Sequence, residues 1–272
     1  MSDKPILFSA PMVRAILREV EAPGTGKTQT RRVLTPAKLR IWTGGLDHSG
    51  RYVHPSPELF RAALNNPRSF KNVEGRLAWV TDPAPHQAGA AFAQWLGQLP
   101  YGVGDRLWVR ESLQVDWMEN LLTGERTTNA AVAYYAADDA ECLDPAGFNL
   151  SWIWQRGTLP SIHMPRSFSR LTLIVTDVRV QRLHDISEAD AMAEGVIFNA
   201  GLPADVHRHC IPIGDGEVIS GWDARECFSQ LWDHINSPGA WQANPWVVAY
   251  SFRPILGNTD AGRRADQRRE GV

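Results

Sequence analysis

The chain is organised around the stretch Gly24-Thr25-Gly26-Lys27-Thr28-Gln29-Thr30-Arg31-Arg32, which concentrates more potential chemistry than any other segment. Its Gly26-Lys27-Thr28 part is typical of the end of a phosphate-binding loop, but that motif needs a glycine five residues before Gly26, where this chain has Glu21. An acidic side chain is unfavourable where backbone N–H groups and a lysine hold polyphosphate. The stretch therefore argues against a nucleoside triphosphatase and needs another explanation.

Composition limits the class of protein. The 272 residues are 43% hydrophobic and 21% charged, enough for a buried core in one large domain or two small ones. The net charge of −2 provides no general basic field for nucleic acid. The three cysteines, Cys142, Cys210 and Cys227, are too few and too scattered for a disulfide framework or a zinc motif. Without a recognisable signal peptide or a membrane-length apolar run, we expect a cytoplasmic protein.

Hydrophobic spacing predicts more strands than helices. We expect strands at 5–8, 28–34, 77–80, 106–111, 131–136, 169–183 and 246–252, with helices at 10–20, 188–194 and 223–235. Segment 160–166 should be extended, 36–76 irregular, 199–220 loop-rich, and the tail 257–272 disordered. Because strands and helices do not alternate, the pattern indicates an α+β fold around a mostly antiparallel barrel, as one domain over 1–256.

Three landmarks along the chain give a family resemblance. They are Lys27-Thr28-Gln29-Thr30-Arg31-Arg32 after the first helix, the turn Gly104-Asp105-Arg106-Leu107 into a strand, and a strand followed by a helix that ends at Gly195. Together they resemble the ASCH family of the PUA-like superfamily of small β-barrels, and over about residues 5 to 253 its larger branch from phages and bacteria. Segments 161–166 and 244–248 are typical of that branch.

The resemblance implies two functional classes. Some family members are RNA-binding modules, whereas others are amidohydrolases that cleave N4-acetylcytidine to cytidine and acetate. The matching catalytic positions here are Lys27, Thr30 and Glu194, and Arg32 closes the motif. The chain departs from the family at Thr25, where a glycine is usual, and in its length. The excess length falls in insertions at about 36–76, 81–100, 116–160 and 199–220.

The three matched residues suit amide hydrolysis in two ways. Neutral Lys27 could take the proton of the Thr30 hydroxyl, which would then attack the carbonyl carbon. Arg31 and Arg32 would favour the neutral lysine, but Glu194 would raise its pKa and oppose this scheme. In the alternative, Glu194 activates a water molecule while Lys27 and Thr30 stabilise the oxyanion. The sequence leaves both schemes open.

Other polar residues complete the predicted site. We expect Arg32, Ser9, Arg110, Glu111 and His163 to contact substrate. The residues Asp205, His207, His209 and Cys210 lack the usual ligand spacing, so we expect neither a metal nor a cofactor. The expected ligand is a small modified nucleoside, and the alternative function is a non-catalytic RNA-binding module or phage accessory protein. Trp108, Trp152 and Trp154 fit a core better than a base-stacking platform. The sequence does not set the oligomeric state.

Overall fold

The computed structural model describes residues 3–34, 40–43, 45–46, 52–53, 67–73, 76–81, 93–119, 123–124, 126–142, 157–214 and 216–259. Its helices are α1 (Ala10–Glu21), α2 (Glu188–Ala193) and α3 (Ala224–Asn236), with single 3-10 turns at Ser161–His163, Arg166–Phe168 and Leu183–Asp185. Its strands are β1 (Asp3–Leu7), β2 (Gln29–Val33), β3 (Arg40–Thr43), β4 (Gly45–Leu46), β5 (Tyr52–Val53), β6 (Pro67–Val73), β7 (Arg76–Thr81), β8 (Ala93–Gln98), β9 (Arg106–Arg110), β10 (Leu113–Glu119), β11 (Arg126–Tyr135), β12 (Glu141–Cys142), β13 (Thr158–Leu159), β14 (Leu171–Arg182), β15 (Ile197–Phe198), β16 (His209–Gly214), β17 (Glu217–Gly221) and β18 (Trp246–Leu256). No helix among the described residues has the length and apolar character needed to cross a membrane.

The fold is α+β, with most of its regular structure in sheets. The central sheet has the strand order β1-β9-β14-β18-β2, and all its pairs are antiparallel except β1 with β9. The long pair β14 and β18 runs from Leu171 opposite Leu256 to Arg182 opposite Trp246, interrupted by a register shift between Val175 and Asp177. Smaller sheets are β12-β11-β10-β13, β3-β8-β7-β6, β15-β16-β17 and β4-β5.

The main hydrophobic core lies between the central sheet and the helices. Helix α1 buries Met12, Val13 and Ile16 on one face, because apolar residues recur at helical spacing there. Helix α3 buries Cys227, Phe228, Leu231 and Trp232, as its periodicity predicts, whereas Ile235 on the same predicted stripe is 60% exposed. A second, smaller core forms around β10 and β11, including Leu113, Tyr135 and Met164.

The central sheet has an open seam between its two edge strands. Strands β1 and β2 stand at opposite ends of the order, and no backbone pairing joins them within the described residues. A side chain bridges them instead: Nη2 of Arg32 on β2 donates to the carbonyl oxygen of Leu7, which ends β1, at 2.7 Å. The predicted barrel is therefore present only as a sheet whose edges approach each other.

Several local expectations were wrong. Segment 36–76, predicted to be irregular, contains the strands β3 to β6. Strand β3 pairs with β8, and β6 pairs with β7. The loop-rich region 199–220 contains the hairpin of β16 and β17. Segment 160–166 is not extended, because Pro160 and Pro165 each precede a 3-10 turn, which a fixed φ near −65° suits.

The first three residues of the predicted disordered tail are ordered in the structure. Gly257 donates its N–H to the carbonyl of Arg170 at 2.7 Å, and the Asn258 amide donates to the carbonyl of Arg166 at 2.8 Å. Thr259 is buried. Residues 260–272 lie outside the described residues, as do Trp152 and Trp154, while Trp108 is half-buried on β9.

Candidate active site

The loop between α1 and β2 is fixed against the helix that precedes it. The Glu19 carboxylate accepts the N–H of Gly24 at 3.0 Å and that of Gly26 at 2.9 Å. The N–H of Lys27 then donates to the carbonyl of Ala15 at 2.9 Å. A Cβ atom at Gly26 would lie 2.4 Å from that same carbonyl oxygen, so only glycine fits there. The close approach that requires glycine therefore occurs at position 26 and not at Thr25.

The end of α2 supplies the acidic partner. Ser187 and Asp190 form a capping box at its start, as the sequence predicts, and Glu194 is its C-cap. Gly195 has φ +110°, a conformation that other residues rarely adopt, and it ends the helix. The N–H of Thr28 donates to the carbonyl of Ala193 at 2.8 Å, which ties the end of α2 to the loop.

Lys27 and Glu194 form a buried ion pair. Nζ of Lys27 lies 2.6 Å from Oε2 of Glu194 and also donates to the Glu194 carbonyl oxygen at 2.8 Å. The two side chains are 3% and 4% exposed. Burial lowers the pKa of Lys27, Glu194 opposes that shift, and the charges of Arg32 and Arg31 add to it. The net direction is downward, so the neutral lysine is more accessible than in water.

Arg31 extends the pair into a chain of alternating charges. Its Nη1 lies 3.0 Å from Oε1 of Glu194, and its Nη2 lies 3.1 Å from Oδ2 of Asp190. Asp190 also accepts from Arg179 at 2.7 Å and from the Gln29 amide at 3.1 Å. Burial alone would raise the pKa of Asp190, but the bonds from Arg179 and Gln29 and the charge of Arg31 lower it to about 2. Both Glu194 oxygens therefore face cations.

A cavity of about 360 Å³ opens beside this network. Lys27, Thr30 and Glu194 all line it, so the structure brings the three matched residues together. In a regular strand, side chains three residues apart point to opposite faces of the sheet. Lys27 lies before β2 and Thr30 lies within it, so this alternation does not apply to the pair. The other lining residues are Leu7, Phe8, Ser9, Met12, Arg31, Arg32, Val33, Phe228, Leu231, Trp232, Ile235 and Asn236. The lining therefore combines apolar and aromatic side chains with polar and charged ones.

The other predicted contact residues divide into two groups. Ser9 and Arg32 line the cavity with the matched residues. Arg110, Glu111 and His163 are not among the lining residues: Arg110 stacks over Trp108 and donates to the carbonyl of Ile162.

Glu111 and His163 lie in different surroundings. Glu111 is buried and accepts two hydrogen bonds from Arg170, at 3.0 and 2.9 Å. Burial raises the pKa of Glu111, and Arg170 opposes that shift. Arg170 also contacts Asp138, so Glu111 belongs to a second ionic cluster. His163 is exposed at the end of a 3-10 turn.

The histidine-rich segment before and within β16 makes other contacts. Nδ1 of His207 lies 3.2 Å from Oγ of Ser220, and Nδ1 of His209 lies 3.1 Å from the carbonyl oxygen of Trp222. Across the described part of the chain, no three His, Cys, Asp or Glu side chains are grouped as metal ligands.

Sequence reasoning missed two parts of the site. The sequence does not indicate that Arg31 links Glu194 to Asp190, because the capping pattern at Ser187 already accounts for Asp190. The helical periodicity of α3 predicts Phe228, Leu231 and Trp232 as core residues, whereas in the structure they also line the cavity. The apolar stripe of α3 was a usable signal, but which cavity it would face depends on tertiary packing.

The comparisons with known proteins identify no relative. Protein-family models, curated proteins and solved structures were compared with the chain, and none of them matches it. A function therefore has to be argued from the geometry of the site and from the resemblance of its motif.

Proposed function

We propose that the protein is a metal-independent amidohydrolase that cleaves the N4-acyl amide of N4-acylcytidine-type nucleosides. The observation that carries the proposal is the buried Lys27–Glu194 pair, 2.6 Å apart, in the wall of a cavity that Thr30 also lines. These are the three positions that the ASCH resemblance matches to catalytic residues. The PUA-like barrel belongs to the same proposal, and the Arg32–Leu7 bridge across the seam supports it.

The reaction proceeds through Thr30. Neutral Lys27 takes the hydroxyl proton as Oγ1 of Thr30 attacks the acyl carbon, and the C–N bond then breaks. The protonated lysine returns its proton to the departing N4 amine of cytidine. Water then hydrolyses the acyl-threonine ester, with Lys27 moving the proton, to give the carboxylic acid and free Thr30. One amide and one water become one amine and one acid.

The contacts of Glu194 favour lysine over glutamate as the base. Lys27 and Arg31 each contact one Glu194 oxygen, so both carboxylate oxygens are already engaged and neither is positioned to activate a water molecule. Burial meanwhile lowers the pKa of Lys27. Glu194 therefore orients the Lys27 amine and stabilises it while it carries the proton. In the rival scheme Glu194 activates water directly, and no acyl-threonine forms.

The cavity walls suit a nucleobase. Phe8, Phe228 and Trp232 line the cavity and offer aromatic surface on which a planar ring can stack. Ser9 and Asn236 add hydrogen-bonding groups to the lining of the same cavity. These features fit a small nucleoside as the ligand.

The test is hydrolysis by purified, chelator-treated protein. N4-acetylcytidine and N4-acylcytidines with longer acyl groups are incubated with the folded protein, and cytidine release is followed by chromatography. We expect turnover that chelators do not reduce. Absence of cytidine release from every substrate, in a sample with native circular dichroism, overturns the proposal.

One surface favours a second candidate, a non-catalytic RNA-binding or phage accessory module. Trp222 is 59% exposed beside His207, and the guanidinium of Arg208 lies 4.6 Å from the ring centre of exposed Phe198. Exposed aromatics with nearby cations are a platform on which RNA bases can stack. Salt-dependent RNA binding that Trp222→Ala weakens and Lys27→Met does not, without hydrolysis, supports this alternative.

A further inference from the structure

A second cavity, of about 260 Å³, lies along the same seam between β1 and β2. It shares Leu7, Arg32 and Val33 with the first cavity, so those residues form a common wall. Its other lining residues are Ile6, Leu34, Pro100, Tyr101, Val248 and Tyr250. The two cavities are therefore neighbours, and the β2 strand that carries Thr30 also carries Arg32 between them.

The second cavity is chemically unlike the first. Among the described residues that line it, Arg32 is the only charged one, and the others are aliphatic or aromatic. The Tyr101 hydroxyl donates to the carbonyl of Pro5 at 2.7 Å, and its ring packs edge-on against Tyr250 at 5.2 Å. This hydrogen bond directs the Tyr101 hydroxyl to the backbone and leaves ring surface to the cavity. An apolar group is therefore favoured there over a sugar or a phosphate.

We propose that the second cavity is the acyl subsite, and that the enzyme prefers N4-acylcytidines with medium-length apolar acyl groups to N4-acetylcytidine. This inference rests on the proposed function. The nucleoside occupies the first cavity, where the hydrogen-bonding residues are. The scissile carbonyl lies near Thr30, and the acyl chain passes Arg32 and Leu7 into the second cavity.

Arg32 has a positioning role in this arrangement. Its guanidinium stacks over Phe8, 5.3 Å from the ring centre in the wall of the first cavity, and is held by the Leu7 carbonyl. A cation at the common wall sits where the carbonyl oxygen gains negative charge during attack. An acyl chain bound beyond it would hold that oxygen against the guanidinium, which an acetyl group is too short to do.

The size of the preference follows from burial. Each methylene moved from water into an apolar cavity contributes a factor of about four to kcat/KM. We expect kcat/KM to rise from acetyl to butanoyl to hexanoyl cytidine, by at least about tenfold over the series. Hexanoyl cytidine no better than acetyl cytidine in the wild-type protein overturns the proposal.

Two variants locate the preference in the second cavity. Leu34→Phe places a bulkier, aromatic side chain in that cavity. We expect it to lower the ratio of kcat/KM for hexanoyl cytidine to that for acetyl cytidine about tenfold. Tyr101→Ala enlarges the cavity and should move the optimum to a longer chain. The matched control is Met12→Leu, which alters the wall of the first cavity and should leave the ratio unchanged. A ratio unchanged in both test variants contradicts the assignment.

Binding separates this inference from the proposed function. Calorimetry with acetate, butanoate and hexanoate measures affinity without turnover, and we expect the dissociation constant to fall along the series and to rise for hexanoate in Leu34→Phe. If none of the acylcytidines is hydrolysed, the proposed function fails, and equal dissociation constants for the three acids then overturn the apolar subsite as well. Tighter hexanoate binding that Leu34→Phe weakens supports the subsite.

Discussion

Nζ of Lys27 lies 2.6 Å from Oε2 of Glu194, although 167 residues separate the two in sequence. A buried ion pair contributes little net stability, because desolvation offsets the attraction between the charges. Here the same burial lowers the pKa of Lys27 and Arg31 shares the Glu194 charge. The pair therefore holds a lysine with a lowered pKa in the wall of a cavity that Thr30 also lines.

The first prediction concerns Thr30 as nucleophile. Thr30→Ala should lower kcat at least about 10³-fold, whereas Thr30→Ser should retain measurable activity because it keeps the hydroxyl. Rapid quenching of the wild-type reaction followed by intact-mass measurement should find an acyl adduct on the protein. Activity in Thr30→Ala within tenfold of wild type would instead favour water activated by Glu194.

The second prediction is a pH dependence set by Lys27. Burial holds the Lys27 pKa below 10.5, so the neutral base forms, and kcat/KM rises, as the pH increases through that lowered pKa. Arg31→Met removes a nearby cation, which raises the Lys27 pKa. The rising limb of the profile of kcat/KM against pH should therefore move to higher pH. The limb is measured from kcat/KM between pH 6 and about 11.

A matched variant controls for general charge effects on that limb. Arg253 is an exposed arginine on β18, and Arg253→Met should leave the rising limb in place. A limb that shifts equally in both variants, or moves to lower pH in Arg31→Met, would contradict Lys27 as the base.

The third prediction concerns the loop geometry. Gly26→Ala places a Cβ 2.3 Å from the Glu19 nitrogen and 2.4 Å from the Ala15 oxygen, so it should cost about 3 kcal/mol in urea unfolding. Gly24→Ala is the control, because its φ of +89° is unfavourable for alanine but nothing lies within 4 Å of the added atom. It should cost about 1 kcal/mol. Equal costs at the two positions would show that helix α1 does not press against Gly26.

The fourth prediction is a linkage between Asp190 and acid stability. Its pKa of about 2 lies below the usual 3.8, so its contribution is present above pH 3.8 and disappears as the pH falls through 2. Asp190→Asn should lower the free energy of unfolding by about 2 kcal/mol at pH 7, and this difference should shrink towards pH 2. The control Asp205→Asn changes an exposed carboxylate and should show no such pH-dependent gap. A gap for Asp190→Asn that is as large at pH 2 as at pH 7 would disprove the linkage.

Local sequence signals predicted the elements that carry the site. The capping box at Ser187 and the glycine at 195 gave α2 and its end, because both act within one helical turn. Alternation gave β14, and helical spacing gave α1 and α3. The family motif brought Lys27, Thr30 and Glu194 together as candidates, and the structure places them around one cavity.

Non-local relationships were not accessible in the same way. The pairing of β3 with β8 places Arg40 opposite Gln98, a partner far away in the sequence that no local pattern indicates. The sequence predicts Glu111 as a substrate contact, yet the structure pairs it with Arg170, a partner 59 residues away. The seam between β1 and β2, where Arg32 lines both cavities, depends on the arrangement of the whole five-stranded sheet.

The rate of cytidine release from N4-acetylcytidine by Lys27→Met, measured beside the wild-type protein, tests the central claim most directly. Arg31 still faces Glu194 in this variant, so the buried carboxylate keeps a cation and circular dichroism should report a native fold. We predict that wild-type protein releases cytidine and acetate in equal amounts and that Lys27→Met lowers the rate at least about 10³-fold. A folded Lys27→Met variant that hydrolyses the substrate at the wild-type rate would contradict the account.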